Sequence, residues 1–240
     1  IRLSLVGSEM CIRDRSTTAS VTPQPTIPAT APSKPITDFN SPEFQAWKQE
    51  VQRMSAEEQI KAVSKKLMEL NPGFDGKMTE AEGKSTPKVE NGVVTSIGFS
   101  TNNVTDVSPL CGMVGLKALN CSGRKLSDLS PLKGMKLSLL QCDGTKVDDL
   151  SPLMGMPLTT LKCGGTPVSD LTPLKGMPLK HLWLHMTQVS DLSPLQGMPL
   201  YTLNCEGTAV LDLSPLKGMT LLAGPAHQNS PSFQAFYNFA

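Results

Sequence analysis

The 240-residue chain is short of aromatic residues: Phe, Trp and Tyr together make up 5% of it. It lacks a surplus of charge, with 22 Lys and Arg against 21 Asp and Glu. That balance argues against nucleic acid or an anionic membrane surface as the main partner, since both call for a concentrated basic face. No run of about 18 apolar residues occurs, so no segment reads as a bilayer-spanning helix. The sequence has no Gly-rich phosphate loop, no H-R-D or D-F-G element, no G-x-S-x-G and no H-E-x-x-H, so catalytic residues are not assigned. Six Cys without a C-x-x-C pair exclude a disulfide-stapled mini-protein and give no zinc pattern. What is plentiful is 12 Met, 20 Pro and 19 Gly, a mixture that points to a short unit repeated many times.

The N-terminal part divides by composition. Residues 1–15 resemble translated sequencing adapter and are set aside as a non-native tail; their apolar run is broken by Ser4, Ser8 and Glu9, unlike a signal peptide. Residues 16–38 are rich in Ser, Thr, Pro and Ala, which favours a disordered, semi-rigid linker. Residues 39–93 read as a helical cap and a hairpin. Ser41-Pro42 is an N-cap followed by Pro at the first helical position, and Phe44, Trp47 and Val51 follow at helical spacing. Ser55-Ala-Glu-Glu58 is a capping box, with a stripe of Ile60, Val63, Leu67 and Leu70 that ends at Asn71-Pro72-Gly73. Asn91-Gly92 is a two-residue hairpin signal.

Residues 94–222 hold six repeats. Prolines of the Ser-Pro-Leu type fall at Pro109, Pro131, Pro152, Pro173, Pro194 and Pro215, and Met113, Met135, Met156, Met177, Met198 and Met219 keep the same spacing. Units start at Val94, Leu116, Leu137, Leu158, Leu179 and Leu200; the unit from Leu158 reads L-T-T-L-K-C-G-G-T-P-V-S-D-L-T-P-L-K-G-M-P. The one extra residue of the first unit lies between Pro109 and Leu116, where a turn can absorb it. Positions 1, 4, 6 and 11 of the unit point inward, and positions 4 and 6 alternate as a short strand does. Ser before Pro suits a tight turn or short 3-10 segment. One unit has too little core to fold alone and must stack on its neighbours.

This pattern resembles bacterial leucine-rich repeats of the internalin type, with their D-I-x-P-L segment. The resemblance implies an α/β solenoid: a right-handed horseshoe with a parallel sheet on the concave face, 3-10 and turn segments on the convex face, and an N-terminal helical cap. The Asn that the family places at position 9 is Asn102 in the first unit, Arg124 in the second, and Thr145, Thr166, Thr187 and Thr208 thereafter. A hydroxyl offers one donor on a single oxygen, where an amide has two donors and a separate acceptor, so a weaker ladder is expected there. The stretch from Phe44 through Asn71-Pro-Gly-Phe-Asp75 resembles regions that follow kinase domains in large bacterial Ser/Thr kinases. It implies a kinase-associated module cut from a larger chain, with a kinase domain upstream.

Three columns are open to a sharp and a bland reading. Cys121, Cys142, Cys163 and Cys205 share position 6, where Leu184 replaces Cys, so a stack of small buried thiols is favoured over a metal or disulfide ladder. Such free thiols suit a reducing, cytoplasmic compartment, with a periplasmic or surface location left open. Asp106, Asp128, Asp149, Asp170, Asp191 and Asp212 share position 13, two residues before Ser or Thr, where a carboxylate caps turn amides. The Met column reads as core filler on the convex side.

The outward strand positions vary between units. Between Ser100 and Leu222 the only aromatic residues of the Phe, Trp and Tyr class are Trp183 and Tyr201, and His181 and His185 lie beside them. Lys162, His181, Trp183, His185, Tyr201 and Asn204 are the candidate ligand-binding patch, since Trp and Tyr are favoured at binding hot spots. The competing reading is drift on an unselected surface. His181 and His185 are too far apart along a strand to share one ion, so no metal and no cofactor is expected. The expected activity is that of a non-catalytic, monomeric module that binds a protein partner of unknown identity, without nucleic acid and without membrane insertion. The alternatives are a structural spacer or display repeat with no ligand, and a non-catalytic part of a Ser/Thr kinase. In the tail, 223–240, Phe233, Phe236, Tyr237 and Phe239 either cover the open end of the core or are a frame artefact.

Overall fold

In the computed structural model, residues 41–83 and 86–219 are described; the segments 1–15, 16–38 and 223–240 lie outside them. The chain begins with two helices, α1 (Pro42–Arg53) and α2 (Ala56–Leu70). Both start where their caps place them. The Ser41 hydroxyl accepts from the Phe44 amide at 3.2 Å, and Ser55 and Glu58 form a reciprocal capping box. Each cap of this kind stabilises a helix by about 1 kcal/mol. The apolar stripes then seat Val51, Val63 and Leu67, all fully buried, in the same continuous core as the repeats.

Seven strands follow in one sheet, in chain order: β1 (Lys88–Glu90), β2 (Val93–Gly98), β3 (Ala118–Asn120), β4 (Leu139–Gln141), β5 (Thr160–Lys162), β6 (His181–Trp183) and β7 (Thr202–Asn204). β1 and β2 are antiparallel, and every later pair is parallel. The hairpin turn has positive φ at both Asn91 (51°) and Gly92 (76°), as a type I′ turn requires. β2 is at once the second hairpin strand and the strand of the first repeat. The sheet therefore has seven strands, one more than the six repeats alone supply.

Each strand of β3–β7 covers positions 3, 4 and 5 of its unit, with the middle residue buried and its neighbours half-exposed. Registers advance by one whole unit: Leu119, Leu140, Leu161, Leu182 and Leu203 are aligned Cα to Cα. Behind them lie 3-10 turns at Ser130–Leu132, Ser151–Leu153, Thr172–Leu174, Ser193–Leu195 and Ser214–Leu216. The first unit has a longer turn, Ser108–Gly112, which takes up its extra residue. Gly112 suits the close packing there, because a Cβ would stand 3.1 Å from Cγ1 of Val51 on α1.

The side-chain columns act within the unit. Each Asp of position 13 accepts the amide two residues on, at 2.7–2.8 Å, from Asp106 to Ser108 through Asp212 to Ser214. The bonds from Ser151, Thr172 and Ser193 hold the carboxyls of Asp149, Asp170 and Asp191 below their ordinary range. The Thr of position 9 does not build a ladder between units. Thr145, Thr166, Thr187 and Thr208 each donate to the carbonyl three residues back, at 2.6–2.7 Å. A single donor suffices for that closed turn, so the hydroxyl replaces the amide at small cost. Cys121, Cys142 and Cys163 are free, buried thiols, and burial pushes Cys121 and Cys163 up to about 12.

This is a leucine-rich repeat solenoid: short parallel strands alternating with 3-10 turns around a single stacked core, with helices covering its first repeat. One residue bolts the helices to the array. Buried Asn71 donates to the Leu67 carbonyl at 2.9 Å and to the Asp106 carbonyl at 2.8 Å, and its Oδ1 accepts the amides of Thr105 and Asp106. Asn71→Ala leaves several of these backbone groups without partners, each worth about 1–3 kcal/mol when buried. The expected outcome is a loss of roughly 3 kcal/mol in urea unfolding. Leu129→Ala, farther along the array, serves as the comparison for an ordinary core cavity of similar cost.

Candidate functional site

The alternation of β3–β7 turns positions 3 and 5 outward on one face of the sheet, and position 7 follows on the same side. Six rows of neighbours therefore lie side by side at about 4.8 Å spacing. Position 5 carries Gly98, Asn120, Gln141, Lys162, Trp183 and Asn204, and position 3 carries Ser96, Ala118, Leu139, Thr160, His181 and Thr202.

Four of the six predicted residues form one unbroken chain of contacts across three repeats. The Lys162 ammonium lies 4.9 Å from the centre of the Trp183 ring. The His181 ring stacks on Trp183 with centroids 5.9 Å apart and planes at 27°. Tyr201 meets His181 at 6.4 Å, tilted by 51°. His181 Nδ1 is 3.2 Å from the Thr202 hydroxyl, which ties the ring to the next repeat. A cation over an indole contributes about 0.5–1 kcal/mol at a site of this exposure, which biases Lys162 toward the ring. Asn204 is the register partner of Trp183, and its Oδ1 is taken by the Glu206 amide at 3.0 Å.

His185 stands apart from that chain and covers a glycine. A Cβ on Gly164 would run into the His185 ring, so the imidazole occupies the notch left by the missing side chain. On the other side of Gly164, Asp143 Oδ1 accepts its amide at 2.8 Å. Burial raises the Asp143 carboxyl above its ordinary range, and the Gly164 amide, His185 and Lys162 partly oppose that rise. His185 Nδ1 is buried with no hydrogen-bond partner. Tyr201, 43% exposed, lies at the edge of the patch and also borders a second hollow of about 270 Å³ with Pro199 and Lys217.

Two features of this face were not anticipated from the residues alone. The first is a wall. Thr79 pairs with Gly98 through two 2.7 Å backbone bonds, and the chain then runs over the sheet, where the Ala81 amide donates to Ser96 Oγ and the Ala81 carbonyl accepts from Asn120 Nδ2. Gly98 permits this, since a Cβ there would stand 2.7 Å from the Glu80 carbonyl oxygen. Between this wall and strands β3–β6 lies a cleft of about 500 Å³ whose lining includes Glu82, Asn120, Gln141, Lys162 and Trp183. The only local sign of it was a Gly at position 5, where later units carry a side chain.

The second is Met186. It has φ +57° and is 71% exposed. The same position is Gly144, Gly165 and Gly207 in neighbouring units, with φ of 66–69°. The left-handed conformation costs a residue with a Cβ about 1–2 kcal/mol. Methionine is thus held in a backbone shape made for glycine, next to His185. The interrupted Gly column was visible in the sequence.

Cys163 beneath this face is a neutral thiol, pushed up to about 12 by burial. Among the described residues no three His, Cys, Asp or Glu side chains come together to hold a metal ion, and no helix is long and apolar enough to cross a membrane.

No family model matches the chain, and no curated protein matches it. Solved structures, two internalins among them, are similar to it in part. Internalin C2 from Listeria monocytogenes is 28% identical over 55% of this chain and 62% of its own, with a TM-score of 0.48. An internalin (inlF) from the same species is 24% identical over 52% of this chain and 51% of its own, with a TM-score of 0.30. The chain spans less than two thirds of either structure. The assignment as a leucine-rich repeat solenoid rests on the strand register and turn geometry described above.

Met186→Gly relieves the strain and is expected to raise stability by about 1 kcal/mol, read as a higher urea midpoint. Gly165→Met, which installs the same strain one repeat earlier, is expected to lower it by a similar amount.

Proposed function

We propose that this chain is a non-catalytic protein-interaction module that binds a polypeptide partner on the open face of its sheet. The contact centres on Lys162, His181, Trp183, His185, Tyr201 and Asn204. One observation carries the reading. The unit from Leu179 buries its inward residues Leu179, Leu182, Leu184 (where its neighbours have Cys), Val189, Leu192 and Leu195, and it differs from its neighbours in placing His at outward positions 3 and 7, Trp at position 5 and Met in place of Gly at position 8. One of those departures, Met186, works against stability. Drift on an indifferent surface gives no reason to retain a strained, exposed methionine beside the aromatic cluster. Trp and Tyr held by neighbours lose little freedom on binding, which suits them as anchors.

The proposal has a wider part. The resemblance of Phe44–Asp75 to segments that follow kinase domains supports placing the module, as a monomer, in a larger Ser/Thr kinase whose partner choice it helps set. Recovering the uncontaminated reading frame upstream of the 16–38 linker tests that part by itself: a kinase frame there supports it, and its absence removes it.

A photo-cross-linking residue in place of Asn204 tests the face directly. In extracts of the source cell it is expected to give a discrete protein adduct, whereas the same residue in place of Met154, 66% exposed at the end of a 3-10 turn, gives none. Trp183→Ala with Tyr201→Ala is expected to reduce the adduct about tenfold or more. Equal labelling from position 154, or an adduct indifferent to the double change, contradicts the proposal and favours a spacer without a ligand.

A further inference from the structure

We propose that the cleft between the Ala81–Gly83 wall and strands β4–β6 receives an acidic side chain of the partner polypeptide, its carboxylate bound by Lys162 and Gln141. This rests on the reading of the sheet face as a partner site and adds what that partner must present there.

The argument is a count of committed and uncommitted groups around the cleft. Asn120 is spent: Nδ2 donates to the Ala81 carbonyl at 3.0 Å and to Gln141 Oε1 at 3.1 Å, and Oδ1 accepts the Ser122 amide. The bond from Asn120 orients the Gln141 amide, so that its acceptor is used and its Nε2 donors have no partner among the described residues. Lys162 forms no ion pair among the described residues; its ammonium rests over Trp183. The Trp183 indole N–H and the Thr160 hydroxyl also donate no hydrogen bond there. Three of the four uncommitted polar groups on the floor of the cleft are thus donors only, and Thr160 can donate as well. A ligand that matches them supplies acceptors.

The nearby acids do not fill that role. Asp143 Oδ1 is held by the Gly164 amide, and its carboxylate makes no ion pair with Lys162. Glu82 is exposed on the opposite wall. Half-buried Leu139 and the edge of the Trp183 ring offer apolar surface to the stem of the bound acidic side chain. At about 500 Å³ the cleft has room for a side chain with adjoining backbone, not for a folded element. Holding the ammonium over the indole before binding also reduces the ordering cost of the new ion pair.

Calorimetric titration of the whole chain with hexaglutamate, hexaglutamine, hexalysine and sodium acetate separates the possibilities. Binding of hexaglutamate alone, weakened about tenfold or more by Lys162→Met and by added salt, is the expected result. Lys175→Met, an exposed lysine at a 3-10 turn, is expected to leave it unchanged, and both variants are checked for an unaltered urea midpoint. Hexaglutamine binding as tightly, or equal losses in the two lysine variants, overturns the proposal. Acetate binding as tightly as hexaglutamate at a Lys162-dependent site overturns the polypeptide part of it. If hexaglutamate fails to bind while the position-204 adduct still forms, the acidic side chain is wrong and the partner face stands; loss of both removes the face as well.

Discussion

The rest of the structure depends on one constraint: neighbouring units stack in register by one whole repeat. Leu140 lies against Leu119 and Leu161, and the strand positions on either side of it are aligned in the same way. A buried leucine contributes about 2 kcal/mol, but within a single unit those residues have only one another to touch. Most of their burial comes from the units on either side, so the array is stable as a stack and not piece by piece. A slip of one residue would turn the leucines outward and the polar rows inward. Inward conformity is therefore compulsory, and the outward positions are left free to differ.

The local bonds of each unit serve that register. The Asp–amide bond before each 3-10 turn and, after β4–β7, the Thr–carbonyl bond close the unit's two corners without involving its neighbours. Such self-contained corners let one unit be copied with little regard to its neighbours. The ends need different solutions. At the N-terminal end, α1 and α2 cover the first repeat and Asn71 joins them to it through both its amide nitrogen and its oxygen. The wall at Ala81–Gly83 follows from the same arrangement, because the chain must pass from the helices to the hairpin and crosses the sheet face on its way.

Much of this was legible in the sequence because it arises from local rules repeated many times. The caps at Ser41 and Ser55 and the Asn91-Gly92 turn follow from neighbours in the chain, while repetition showed the Asp column six times and the Cys column four times. The seventh strand was harder, since β2 pairs with both β1 and β3 and Ser96 has a partner on each side. The Ala81 wall was not legible: it exists through bonds to Ser96 and Asn120, residues 15 and 39 positions away. Likewise the aromatic scarcity led to Trp183 and Tyr201, but not to Gln141, whose importance comes from an amide bond across two strands. The Thr column misled in a different way, because its bond stays inside the unit where the family's Asn suggested a ladder.

The central claim is that inward positions of the unit from Leu179 carry the fold and its outward positions carry the function. Replacing only the outward residues with those of adjoining units tests it most directly, with His181→Thr, Trp183→Asn, His185→Gly and Met186→Gly combined. The yield of the position-204 cross-linked adduct is the quantity to measure, on protein shown to unfold cooperatively in urea. The account predicts an intact cooperative transition and an adduct reduced about tenfold or more. An adduct formed in undiminished yield, or a chain that no longer unfolds cooperatively, would contradict it.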